Sequence, residues 1–232
     1  MRPNDDFEID LFADFKRPTM DSALKLPLCL VLDSSGSMAE RTKSPKGSMV
    51  KIDELNRNVE NLLAYIKTNE KANRICDLCI VSFSGEGAKV AVGYSKAEKI
   101  VYKKLNAYGS TPMGEAVKLS IDLLQKRRQF YKDSGIEHYK PIMMLMSDGE
   151  PTDEYLASAK LSSDMVKNNQ LKIYPVGIGD NFRTDSLNLF SPNMPAKRIE
   201  DMQGFMKLFE LLSRSTSNPS DDSMDKWFRD EI

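Results

Sequence analysis

The sequence is poor in the residues that most readily mark a site. It holds one histidine, His138, three cysteines and one tryptophan among 232 residues. A single histidine argues against a zinc centre and leaves a serine nucleophile without an evident base. Three cysteines are too few for a disulfide framework, and their apolar setting points to a reducing cytosol. Cys76 and Cys79 form a C-x-x-C, but strand positions three apart face opposite sides, so the pair reads as two core cysteines. Charge of one sign is also missing. With 33 basic and 34 acidic residues the net charge is -1, which offers no field to attract nucleic acid or a membrane surface. No run approaches the ~20 apolar residues of a membrane span. The N-terminus, Met1 to Asp10, is acidic and lacks the apolar stretch of a signal peptide. The expected location is the cytoplasm.

What is present is a series of short apolar runs in a chain that is 41% hydrophobic. That content suffices for one packed α/β domain, and no compositional break divides it. Pro27 to Leu32, Ile75 to Phe83, Pro141 to Met146 and Lys172 to Ile178 read as strands. The first has no alternation, so both its faces should be buried, as in a central parallel strand. Lys89 to Gly93 should return as an antiparallel edge strand after a turn at Ser84 to Gly87, and Ala196 to Ile199 reads as a short last strand. Ile52, Leu55, Val59, Leu62, Leu63 and Ile66 recur at helical spacing. A second long helix should open at Thr111 as its cap, with Pro112 first in the helix. Its end, Lys126, Arg127 and Arg128, reads as solvated. Phe205, Leu208, Phe209 and Leu212 mark a last helix.

The first strand ends in Asp33-Ser34-Ser35-Gly36-Ser37-Met38. Ligand sites of open α/β sheets lie beyond the carboxyl ends of such strands. Asp33, Ser35 and Ser37 offer only oxygen, which suits a hard cation such as Mg2+. The same residues are ordinary turn formers, and D-x-S-x-S alone reads equally well as a turn. Two further stretches bear on the choice, Gly109-Ser110-Thr111-Pro112-Met113-Gly114-Glu115-Ala116 and Leu145 to Asp153, the latter containing Ser147-Asp148-Gly149.

Together the three stretches resemble the von Willebrand factor type A (VWA) family, whose metal-ion-dependent adhesion site has the form D-x-S-x-S, a distant Thr and a distant Asp. Asp33, Ser35, Ser37, Thr111 and Asp148 match its five positions. The likeness covers about residues 25–215, and is nearest to the bacterial, cytoplasmic branch associated with tellurite resistance. Gly109 to Ala116, Leu124 to Pro141, Ser147 to Asp153 and Val176 to Asp180 carry that closer resemblance. It implies a doubly wound, mostly parallel sheet with one antiparallel edge strand and helices on both faces. It also implies a non-enzymatic interaction module of a stress-response system. Mg2+ is the expected metal, with Mn2+ as a substitute and Ca2+ less favoured. A protein partner, a phosphatase or kinase of the same system, would complete the coordination with a Glu or Asp.

The alternative is a Mg2+- or Mn2+-dependent phosphohydrolase. An aspartyl phosphatase often shows D-x-D, and here Ser35 stands where the second Asp would be. No G-x-S-x-G surrounds Ser34, Ser35 or Ser37. His138 precedes the Pro141 strand, so it is expected at the far end of the sheet, as an ordinary surface residue. Gly85, Gly87 and Lys89 miss the spacing of a phosphate loop, and Gly177 and Gly179 lack the third glycine of a dinucleotide fingerprint. Outside the domain, residues 1–24 read as an arm that packs on the domain or a partner. Residues 39–48, with Arg41, Lys43 and Lys46, read as a basic solvated loop. Residues 216–232 read as a flexible, solvated acidic tail; the lesser alternative is that Asp221, Asp222 or Glu231 reaches the metal of a second copy.

Overall fold

The computed structural model describes residues 24–42, 48–180 and 182–198. The N-terminal arm, the centre of the basic loop, the helix expected at 205–212 and the acidic tail lie outside them. Six strands form one sheet in the order β3-β2-β1-β4-β5-β6. They are β1 (Leu26–Asp33), β2 (Cys76–Ser84), β3 (Gly87–Ser95), β4 (Ile142–Ser147), β5 (Lys172–Gly177) and β6 (Lys197–Arg198). Every pair is parallel except β2 with β3, the hairpin at the edge. All eight residues of β1 are buried, as the unbroken apolar run requires of a strand covered on both faces.

Alternate residues of the central strands feed two cores. Leu26, Leu28, Leu30 and Leu32 pack with α1 (Lys51–Thr68) and α2 (Glu70–Ile75). Cys29, Val31, Met143 and Leu145 pack with α3 (Met113–Asp133), α4 (Leu156–Lys167) and α5 (Thr184–Phe190) on the other face. Cys76 falls in the first core and Cys79 in the second, as strand geometry demands. The chain leaves β1 for β2 on one side and later returns to β4 on the other. The crevice between the carboxyl ends of β1 and β4 is therefore the switch point of the fold.

Three readings of the sequence need correction. Thr111 is not the cap of α3, nor is Pro112 inside it. Pro112 takes the cap position without a side-chain bond, and the free amides of Gly114 and Glu115 are met by Asp153, at 3.1 and 2.8 Å. A carboxylate suits these unpaired donors at the positive end of the helix better than a hydroxyl does. Arg127 is not solvated. It is fully buried, paired with Asp77 on β2 and held among Tyr94, Phe130 and Tyr131 at 4.7 to 5.2 Å from their ring centres. Finally, α2, α4 and α5 stand where no helix was expected.

Candidate functional site

Asp33 ends β1, and Asp148 follows β4 directly. Main-chain bonds draw the surrounding loops together. Gly36 donates to the Gly109 carbonyl at 2.9 Å, Tyr108 to the Ser34 carbonyl at 2.9 Å, and Thr152 to the Thr111 carbonyl at 3.0 Å. Gly109 has φ +71, and a Cβ there would lie 2.5 Å from the Gly85 Cα. No other residue fits both the torsion and the approach.

On this frame the side chains form a continuous chain. One oxygen of Asp33 accepts the Ser35 amide at 2.8 Å, and the other accepts the Ser147 hydroxyl. The Ser35 and Ser37 hydroxyls are 3.1 Å apart, and Ser37 donates to Asp148 Oδ1 at 2.8 Å. Thr111 is buried beside them. Its backbone bonds Thr152 and Met113. Four of the five residues singled out in the sequence thus join one network, and the fifth is brought alongside by its main chain.

Burial pushes the Asp33 carboxyl up to about 6, against the opposing pull of the Ser147 and Ser35 bonds, and the Asp148 charge pushes the same way. The groups bonded to Asp33 carry no positive charge. Asp148 is met differently. Lys51 Nζ lies 2.7 Å from its Oδ2 and 2.8 Å from Glu40. Burial alone would lower the Lys51 ammonium, but bonds to Asp148 and Glu40 and the charges of both outweigh it and hold it raised.

Lys51, Ser147, Thr152 and Asp153 were not assigned roles from the sequence. For Lys51 a signal existed: a lysine opens a helix, at the end where the helix dipole disfavours a cation. His138 is bridged to Lys25, before β1 begins, at the opposite end of the sheet from Asp33. The glycines at 85 and 87 belong to the β2–β3 hairpin.

The donors fit a hard divalent cation in kind: two carboxylates, hydroxyls and no sulfur or imidazole. The Lys51 ammonium already shows that the Asp148 side accepts positive charge. Among the described residues no group of three or more His, Cys, Asp or Glu is placed to hold a metal. Any cation here would rest on two acids and on neutral oxygens.

The model of the von Willebrand factor type A domain matches residues 28–212. The chain belongs to the VWA domain family. VWA domains are commonly metal-dependent adhesion or interaction modules, and generally non-enzymatic. An uncharacterized protein of Synechocystis sp. is 28% identical over 207 residues, which is 83% of this chain and 43% of that protein. The VWA chain thus spans less than half of that relative. A minor pilin, PilB, from Streptococcus sanguinis shares the fold at a TM-score of 0.57 and 14% identity, over 93% of this chain and 65% of that one. Manganese-loaded TRAP protein of Plasmodium vivax shares it at 0.50 and 16% identity, over 72% of this chain and 63% of that one. Among the described residues no helix is long and apolar enough to cross a membrane.

Proposed function

We propose that this VWA domain is a non-enzymatic protein-interaction module that recognises its partner through a divalent cation held by Asp33, Ser35, Ser37, Thr111 and Asp148. The observation that carries the reading is the hydrogen-bonded chain running from Asp33 through Ser35 and Ser37 to Asp148, at the switch point of the sheet. The groups come from loops far apart in sequence, and the bonds among Asp33, Ser35, Ser37 and Asp148 support a shared role. Mg2+ suits such a compact set of oxygens, with Mn2+ as a substitute and Ca2+ less favoured. The manganese-loaded TRAP structure supports a divalent ion in a domain of this fold.

When bound, the cation supplies an electrophilic position that a partner's Glu or Asp can join. The residues of the chain do the rest. Asp33 and Asp148 provide the negative charge, and Ser35 and Ser37 fix the spacing between them. Asp153 and Thr152 clamp the start of α3, which keeps Thr111 at the crevice. Tyr108 is exposed beside the site and offers an aromatic contact at the rim, of the kind enriched in interfaces. The partner is a protein, not nucleic acid or a membrane. The likeness of Gly109 to Ala116 and Val176 to Asp180 to the tellurite-resistance branch supports a bacterial, cytoplasmic stress system with a phosphatase or kinase partner.

The test is capture of partner from native lysate by wild type and by the Ser35→Ala, Ser37→Ala double variant, each with Mg2+ and with chelator. Capture by wild type in Mg2+ alone is expected. Equal capture by the folded double variant, or by wild type in chelator, would overturn the reading.

A further inference from the structure

The crevice contains a cation of the chain's own. Lys51 is the first residue of α1, and its ammonium lies 2.7 Å from Asp148 Oδ2 and 2.8 Å from Glu40 Oε2. The Lys51 side chain is 12% exposed, Asp148 1% and Glu40 67%. The buried contact is therefore the one to Asp148, and the solvated contact the one to Glu40. The other oxygen of Asp148 is taken by Ser37.

Two features show that the lysine is placed for the crevice and not for its helix. A cation in the first turn of a helix opposes the dipole, whereas Asp53 and Glu54 follow it in the favoured sense. Its stem also lies in a fitted channel. Gly179, with φ +81, leaves room for it: a Cβ there would stand 2.8 Å from Lys51 Cε and 3.3 Å from Cδ. The second glycine of the Gly177-Ile178-Gly179 run thereby acquires a role that a nucleotide fingerprint did not give it.

We propose that Lys51 is a tethered competitor of the divalent cation: it neutralises Asp148 in the metal-free domain, and yields that carboxylate while keeping Glu40 as the ion enters. The proposal rests on the reading of the crevice as a metal site. Its basis is charge. An ammonium within hydrogen-bond reach of Asp148 repels a dication bound to the same carboxylate, in a region where water screens little. Lys51 therefore sets how much free metal is needed before a partner can bind. Glu40, exposed beside the crevice, gives the displaced ammonium a counter-charge without a long movement.

The experiment measures Mn2+ affinity by calorimetry for wild type, Lys51→Met and Lys51→Arg, as full chains with melts in chelator. Lys51→Met keeps most of the stem and removes the charge, so it should bind Mn2+ roughly tenfold more tightly, about the worth of one charge-assisted bond. Lys51→Arg keeps the charge and should stay near wild type. Binding by Lys51→Met alone supports the proposal in its strongest form. Equal or weaker binding by folded Lys51→Met overturns it and leaves the metal site standing, as does tight binding by Lys51→Arg. Absence of binding in all three overturns the metal reading and this proposal together. A measurement on wild type needs no variant: the 15N resonance of the Lys51 ammonium should shift on addition of Mg2+. An unchanged resonance at saturating Mg2+ overturns the exchange.

Discussion

Ser147 and Asp33 end neighbouring parallel strands, and the Ser147 hydroxyl donates to Asp33 Oδ2 across 114 residues of sequence. With the Ser35 amide on the other oxygen, the carboxyl is oriented entirely by neutral donors. Both donors favour the ionised form, yet burial outweighs them and raises the group to about 6.

This sets a pH dependence for the metal-free domain. Below the ordinary carboxyl value of 3.8 Asp33 is protonated folded or unfolded, and above about 6 it is ionised in both states. Between the two, the folded chain holds the extra proton, so its contribution to stability falls as pH rises through that window. The loss is about 3 kcal/mol across the window. Urea unfolding in chelator between pH 4 and 7 should show this slope in wild type relative to Asp33→Asn. Parallel curves for the two would refute it.

Asp148→Ala should destabilise the metal-free domain. Relief of repulsion with Asp33 is outweighed by the loss of the Lys51 counter-charge, since an ammonium left without its buried partner is costly. The expected change is roughly 1–3 kcal/mol. A melt in chelator that rises on this substitution would show that repulsion between the acids dominates.

Gly109→Ala should damage the site through the backbone. The new methyl would meet the Gly85 Cα at 2.5 Å, and φ +71 would be strained as well. A loss of roughly 2 kcal/mol or more is expected, with weaker metal binding although no ligand has changed. Unaltered stability and Mn2+ affinity would mean that the two loops separate freely.

Asp77→Ala should be among the most damaging single changes in the core. It removes the carboxylate paired with the buried Arg127 and the acceptor of the Tyr131 hydroxyl. Breaking one side of such a pair costs about 3–5 kcal/mol. The double replacement Asp77→Leu, Arg127→Met should recover much of the loss, because no charge is left buried. Denaturant midpoints for the single and double variants decide it.

The central strands were legible because each is a short apolar run closed by turn residues, and β1 ends at Asp33 while Asp148 directly follows β4. The helix α4 was not, because its buried side is mostly small and polar, Ser158, Ala159, Ser162 and Ser163 with Met165, while Leu156 and Leu161 are exposed. Hydropathy therefore does not separate the two faces of that helix. Arg127 was misread for a related reason: it sits in a run of three cations, and only the fold brings Asp77 to it. The five candidate residues could be named because three loops carry a spaced pattern of oxygen donors. Ser147 could not, since its role depends on which strand neighbours which, and Lys51 showed only as a cation at the unfavourable end of a helix.

The loops around the crevice are joined in part by amides and carbonyls and by two glycines in contact, so that part of the cradle does not depend on the acids and hydroxyls displayed on it. Under the proposed reading, point substitution among the displayed side chains changes cation dependence while those main-chain links stay in place. On that same reading, adhesion through this face could pass in a lineage from metal-gated to constitutive and back by single codon changes, with the main-chain frame inherited intact.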